Sequence, residues 1–257
     1  MSSVAFAKTY TPILNTPDFT QVFGGKDGMS LPLDDQGLIR AVETIAYPGT
    51  QFKIIQKTPF GTYQVETKDY PSGPLFVDKR FLSEQKEEKK KIAPSSSQII
   101  DHLTSLVGAA YIWGGNISQG IPELLDYFPP KTSLTEKMKT LWTLKGVDCS
   151  GLLYEATNGA TPRNTAWLVN FGKPVPLENL SVEKIVALVK PLDLIVWPGH
   201  VIIILDSKTC IESRPQTGVA IQDLSLRLFE LNRKPASLWN ASLSTKEYFV
   251  IRRLSMA

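Results

Sequence analysis

The chain has 257 residues, 42% of them hydrophobic and 21% charged, enough apolar material for a core and about 1.7 domain lengths at roughly 150 residues each. That composition excludes long disorder, fibrous repeats and disulfide-rich miniature scaffolds. A net charge of +3, spread along the chain rather than gathered on one face, argues against nucleic acid as a partner. The start, Met1 to Lys8, lacks the basic n-region and long apolar run of a secretory signal, so a cytoplasmic location is expected.

Thr44 to Phe81 reads as short β segments: Phe52-Lys53-Ile54-Ile55, a Pro59-Phe60-Gly61 turn, then the alternation Tyr63 to Thr67. A second turn, Asp69-Tyr70-Pro71-Ser72-Gly73, precedes Pro74 to Val77, which suggests a small antiparallel barrel over residues 1–85 with an N-terminal extension. The charged run Glu84 to Lys91 and Pro94-Ser95-Ser96-Ser97 mark a linker over 86–97. From there Ile99, Ile100, Leu103, Leu106, Val107 and Ala110 recur at helical spacing behind serine caps. After Tyr111-Ile112-Trp113-Gly114-Gly115 comes a mixed stretch with a helix expected at Leu134 to Leu144. A short helix then opens at Cys149, with Leu152, Leu153 and Ala156 on one face, and closes at Asn158-Gly159. Leu194 to Trp197, Val201 to Leu205, Thr209 to Ser213, Gly218 to Gln222 and Tyr248 to Arg252 read as strands. Helices followed by a strand meander indicate an α+β class. The most apolar run, Leu194 to Leu205, is broken by Pro198, Gly199 and His200 and is too short to span a bilayer, so no membrane partner is expected.

Cys149 and Cys210 could form at most one bridge, and a reducing compartment makes their interest chemical. A cysteine at a helix N-terminus meets partial positive charge and unpaired N–H groups, which favour a thiolate and a developing oxyanion. A nucleophile also needs a base, and only His102 and His200 are available. His200 opens a strand after a Pro-Gly turn, and Glu212, twelve residues on in the neighbouring strand, could orient its ring. Residue types alone favour a plainer reading, in which a buried cysteine fills space and a lone histidine is structural. Cys210 reads as core filler, His102 as a boundary residue and Arg163 as a loop holder, with no CxxC or HxxxH spacing for a metal.

The local wording tips the balance. Asp148-Cys149-Ser150-Gly151-Leu152, Tyr111-Ile112-Trp113-Gly114-Gly115 before it, and Thr161-Pro162-Arg163 and Gly199-His200-Val201 after it, together resemble the NlpC/P60 family of bacterial cell-wall cysteine peptidases. The resemblance covers residues 98 to 254 and implies a papain-like catalytic domain over 98–257, helices on an antiparallel sheet, behind a small all-β SH3-like barrel. It further implies Cys149 as nucleophile, His200 as general base and acid, and Glu212 in the third polar position, where family members more often carry His. Tyr111 matches a tyrosine thought to lie beside the cysteine and to assist the oxyanion.

Two-domain members resembling γ-D-glutamyl-L-diamino acid endopeptidases recognise the free amine of an N-terminal L-alanine. The positions matching that recognition are Asp148 and Ser150, with Tyr70 from the first domain. The implied reaction is hydrolysis of the γ-D-glutamyl–diamino acid bond, meso-diaminopimelate being the expected diamino acid, in peptidoglycan-derived peptides and without cofactor or metal. Residues 116–147 are longer than the family's usual spacing allows and read as an inserted lid or wall. Two alternatives stay open: an endopeptidase of intact cell wall, and an inactive peptide- or partner-binding module.

Overall fold

The computed structural model describes residues 4–85, 94–178 and 180–254. They form two compact units, the first from residues 1–90 and 110–148, the second from 91–109 and 149–257. Sheets and helices occur in both, a mixed architecture. Among the described residues no helix is long and apolar enough to cross a membrane. Of the expected linker 86–97, residues 86–93 lie outside the described residues.

In the first unit, strands β1 (Val4–Ala7), β2 (Thr11–Leu14), β3 (Val42–Ala46), β4 (Gln51–Lys57), β5 (Thr62–Glu66), β6 (Leu75–Asp78) and β7 (Leu82–Ser83) form one antiparallel sheet. Its order is β3-β2-β6-β5-β4-β1-β7. The expected hairpin is present as β4 and β5, with Ile54 opposite Val65, and alternation buries Phe52, Val65, Leu75 and Val77. The stretch read as an N-terminal extension is integral instead: β1 pairs with β4, and β2 joins β3 to β6.

Residues 110–148 pack with this sheet, so the compact units divide at different places from the expected 98–257 domain. One tie is Asn116, whose side-chain amide behaves like a strand partner of β3. Its Nδ2 donates to the Ile45 carbonyl and its Oδ1 accepts from the Ile45 N–H, both at 2.9 Å, while the Tyr47 hydroxyl donates to the Asn116 carbonyl. Strands β8 (Asn116–Ile117) and β9 (Gly146–Val147) pair across the base of the insertion. Between them Phe128 stacks on Phe19 and Phe23. The fully buried Trp142 donates from Nε1 to the Phe128 carbonyl at 3.0 Å. Trp142 closes a helix, Glu136–Trp142, that is shorter than expected and is capped by the Thr135 hydroxyl.

In the second unit, β10 (Lys173–Pro174), β11 (Asp193–Trp197), β12 (His200–Ile204), β13 (Thr209–Arg214), β14 (Gly218–Asp223) and β16 (Tyr248–Arg253) form a sheet in the order β10-β16-β11-β12-β13-β14. A short β15 (Lys234–Pro235) lies parallel to β16; the other pairs are antiparallel. Helix Ser96–Ser105 opens on a Ser95/Gln98 capping box. It stops short of the expected Ala110, because Gly108 takes φ 88°, a left-handed turn that glycine adopts readily. There its N–H bonds to the Val219 carbonyl, and Val219 bonds back to Ala109.

Helix Cys149–Ala156 packs against Ser96–Ser105 and against β12 and β13, and closes, as its sequence indicates, at Asn158 and Gly159, both with positive φ. Two helices without a counterpart in the expectations, Val182–Leu188 and Leu224–Glu230, contribute Ile185, Leu224 and Leu228 to a core with Ile195, Trp197, Ile202, Ile204 and Cys210.

Candidate active site

Cys149 is the first residue of its helix and 8% exposed. An N-terminal helical position surrounds its sulfur with amide hydrogens that have no partner within the helix. The Pro198-Gly199 turn joins β11 to β12, and Gly199 takes φ 114°, a conformation that a side chain would strain although nothing lies near enough to clash. This turn brings two groups to the cysteine. The Gly199 carbonyl accepts a weak 4.0 Å contact from Sγ, and the His200 imidazole comes close enough to Cys149 for the sulfur to raise its proton affinity.

The strand pairing sets the third member. Ile203 lies opposite Ile211 and Ile204 opposite Cys210, so Glu212 falls on the face of β13 that matches the His200 face of β12. Its Oε2 is 2.5 Å from His200 Nε2, which leaves Nδ1 as the ring nitrogen for the sulfur. Trp197, paired with His200 across the turn, sets its ring 5.3 Å from the imidazole at 45°.

Glu212 is fully buried. Arg227, from helix Leu224–Glu230, reaches Oε1 through Nε at 2.6 Å and Oε2 through Nη2 at 3.2 Å. Arg214 Nε stands 3.5 Å from Oε1. Burial by itself would raise the Glu212 pKa, but hydrogen bonds and charge from His200 and Arg227 outweigh it and hold the carboxyl at about 2. For His200 burial works to lower the pKa, and the hydrogen bonds and negative charges of Cys149 and Glu212 win, raising it to about 9.

The expected site residues divide between the units. Cys149, Ser150, His200 and Glu212 lie in the second, with His200 hydrogen-bonded to Glu212 and perturbed by Cys149. Ser150 is buried, its hydroxyl accepting from Arg163 Nη1 at 2.9 Å. Tyr70, Tyr111 and Asp148 lie in the first. Asp148 is buried and its N–H donates to the Gly115 carbonyl, and Tyr111 is half-buried in a loop. Asp69, Pro71, Ser72 and Gly73 line a groove of about 890 Å³. Tyr70, 6% exposed, turns inward and donates its hydroxyl to Glu43 Oε2 at 3.0 Å.

Arg227, Arg214, Glu43 and Trp197 had no place among the expected site residues. Arg227 leaves a trace in the sequence, since Leu224 and Leu228 define a buried helix face and Arg227 falls beside it. Cys210 sits in the core, its Sγ 3.8 Å from the Gln222 carbonyl, and burial, reinforced by the Glu212 charge, pushes its thiol up to about 12. His102 Nε2 stands 3.7 Å from Glu155 Oε1 without an aligned hydrogen bond. Among the described residues no three His, Cys, Asp or Glu side chains are grouped as a metal would require.

No family model and no curated protein matches the sequence. Solved structures do. An NlpC/P60 family protein from Bacillus cereus ATCC 10987 aligns at 17% identity, with a TM-score of 0.36, over 98% of this chain. NlpC2 and NlpC1 from Trichomonas vaginalis align at 14% and 15% identity over 87% of this chain, each with a TM-score of 0.33. The alignments cover 63%, 68% and 65% of those proteins respectively, less than two thirds of the first.

Proposed function

We propose that the chain is a cysteine peptidase of the NlpC/P60 kind that cleaves the γ-D-glutamyl–diamino acid bond of peptidoglycan stem peptides beginning with free L-alanine. The observation that supports this reading is the linked set Cys149–His200–Glu212, a sulfur at a helix N-terminus that perturbs a neighbouring imidazole whose Nε2 is hydrogen-bonded to a buried carboxylate.

In this reading the imidazolium of His200 supplies the counter-charge that a Cys149 thiolate needs. The thiolate attacks the γ-carbonyl carbon, and the oxygen of the tetrahedral intermediate meets backbone N–H groups of the first helical turn, with Tyr111 as a further donor. As the C–N bond breaks, His200 gives its proton to the departing amine, leaving a thioester on Cys149. A water molecule, deprotonated by the now neutral His200, then attacks the thioester and releases the carboxylate, returning thiolate and imidazolium. Glu212, accepting the Nε2–H, keeps one tautomer and one ring orientation through both steps.

Recognition of the free amine is assigned to Asp148, Ser150 and Tyr70. An ammonium requires carboxylate and oxygen acceptors, which Asp148 and the two hydroxyls are of the right chemistry to supply.

Mass-spectrometric digestion of L-Ala-γ-D-Glu-meso-diaminopimelate, beside its N-acetylated form, tests the reading. Release of L-Ala-D-Glu from the free-amine peptide alone, abolished in Cys149→Ala, is the expected outcome. Equal cleavage of both peptides would overturn the amine preference in favour of intact wall, and cleavage of neither would favour the binding module.

A further inference from the structure

An isolated buried carboxylate ordinarily gives up its charge by taking a proton. Glu212 has no solvent contact, so its ionised state depends on its neighbours. His200 is one, but it must lose its proton during the reaction, and at that moment the carboxylate would face a neutral ring. The lasting partner is Arg227. Its guanidinium spans both oxygens, Nε to Oε1 and Nη2 to Oε2, with its side chain only 11% exposed. A two-point fork of this kind fixes the plane of a carboxylate, which a single charge does not. Arg214 offers the contrast: its Nε is 3.5 Å from Oε1 and makes no hydrogen bond, so it adds charge without geometry.

The charge balance leads to the same residue. His200 is flanked by Cys149 from the helix Cys149–Ala156 and by Glu212 from β13. A negative Glu212 with nothing opposing it would hold the His200 proton too firmly to pass it to a departing amine. The charged groups around the Glu212 side are Arg214 on the same strand, Arg227 and the exposed Glu230 on the helix, Asp223 at that helix's cap, and Arg233 beyond it, with the un-ionised Cys210 thiol beside them. Among the described residues of this group, Arg227 alone holds the carboxylate through two hydrogen bonds.

We propose that Arg227 is a positioning residue of the catalytic cluster: it keeps the Glu212 carboxylate ionised and fixed in plane, and offsets its charge so that His200 can release a proton to the leaving amine. This rests on reading Cys149, His200 and Glu212 as a peptidase cluster.

The test uses the full chain carrying Arg227→Met, Arg227→Lys or Arg214→Met. The readouts are kcat and KM on the free-amine peptide, the NMR titration of His200, and the pH dependence of Cys149 alkylation by iodoacetamide. The chain has two histidines, so His102→Gln assigns the resonance. Arg227→Met is expected to lower kcat by about 10- to 100-fold, with KM within about threefold, as for loss of an outer partner of a reactive group. With less cation beside Glu212, the His200 midpoint moves up by roughly half a pH unit or more. Arg227→Lys, which keeps the charge and loses the fork, returns the midpoint towards wild type while kcat stays reduced. Arg214→Met has the smaller effect on both.

Wild-type kcat and an unmoved midpoint in Arg227→Met would overturn the proposal, as would a larger effect from Arg214→Met. So would a lowered thermal midpoint with His200 unmoved, the mark of a purely structural role. Should Arg227→Met fail to fold, Arg227→Lys decides: reduced kcat at constant KM supports the proposal and wild-type kcat overturns it. Should the wild type cleave no peptide, the peptidase reading fails, yet the His200 titration and the alkylation profile still decide whether Arg227 governs the cluster.

Discussion

Two carboxylates on the sheet of the second unit have the same burial and the same kind of clamp, and differ in what their remaining oxygens touch. Asp193, at the start of β11, is fully buried and held by Arg253 across the strand pair, Nε to Oδ1 at 2.9 Å and Nη2 to Oδ2 at 2.7 Å. Glu212 on β13 is equally buried and is held by the Arg227 fork. Asp193 spends its other contact on a backbone N–H, that of Lys190. Glu212 spends its own on His200, and through that ring it reaches Cys149. In the proposed peptidase, an arginine-clamped carboxylate is therefore a structural lock when its third partner is backbone, and part of a reactive array when its third partner is a titrating ring.

Neutralising each carboxylate in turn breaks the comparison most directly. Glu212→Gln offers the ring an amide that can present the wrong dipole and stabilises no imidazolium, so kcat on the free-amine peptide should fall by roughly 10²- to 10⁴-fold. Asp193→Asn should leave kcat unchanged and instead lose about 3 to 5 kcal/mol of stability, because Arg253 keeps a charge with no counter-ion; chemical denaturation measures it. If Asp193→Asn lowered kcat as far as Glu212→Gln does, the distinction between lock and array would fail.

The reactive array was more legible in the sequence than the structural lock. Glu212 was read from its spacing, twelve residues beyond His200 in the neighbouring strand, and from the third polar position that the family resemblance implies. Cys149 at a helix start followed from the apolar spacing of Leu152, Leu153 and Ala156. Arg227 left only the trace of an apolar helix face beside it, because it reaches Glu212 from fifteen residues further on and no local pattern encodes that contact. The Asp193–Arg253 pair, sixty residues apart, is hidden for the same reason. Part of the packing of residues 110–148 with the first unit comes from the Asn116 side chain imitating backbone. Side-chain mimicry of that kind leaves no periodicity to read. The strands β1 and β2 were missed because four-residue segments carry too little alternation to stand out from a loop.

A pH series sharpens the comparison. The His200 pKa is raised from 6.5 to about 9, so the stability it contributes is complete below pH 6.5 and is lost as pH rises through about 9. The Glu212 pKa is lowered from 4.5 to about 2, so its contribution is complete above pH 4.5 and is lost as pH falls through about 2. Both are complete only between pH 4.5 and 6.5. Thermal midpoints should decline on either side of that window, and Glu212→Gln should flatten both limbs relative to wild type. Limbs of unchanged steepness in Glu212→Gln would separate His200 from Glu212 as a titrating pair.

The smallest expected effect concerns the two thiols, which repeat the comparison with sulfur in place of carboxylate. Both are free and buried. Cys149 meets an imidazole. Cys210 meets the Gln222 carbonyl and apolar core, and its thiol is pushed up to about 12 by burial and by the Glu212 charge. Nucleophilic reactivity follows the thiolate, so iodoacetamide at pH 8 should label Cys149 in the folded chain and leave Cys210 untouched until unfolding, a pattern that peptide mapping by mass spectrometry reads directly. Cys210→Ala removes one sulfur from a packed core and should cost only about 1 kcal/mol, with kcat held within about twofold. Labelling of Cys210 at the Cys149 rate would mean that this core opens as readily as the site does, and that burial is not what separates the two sulfurs.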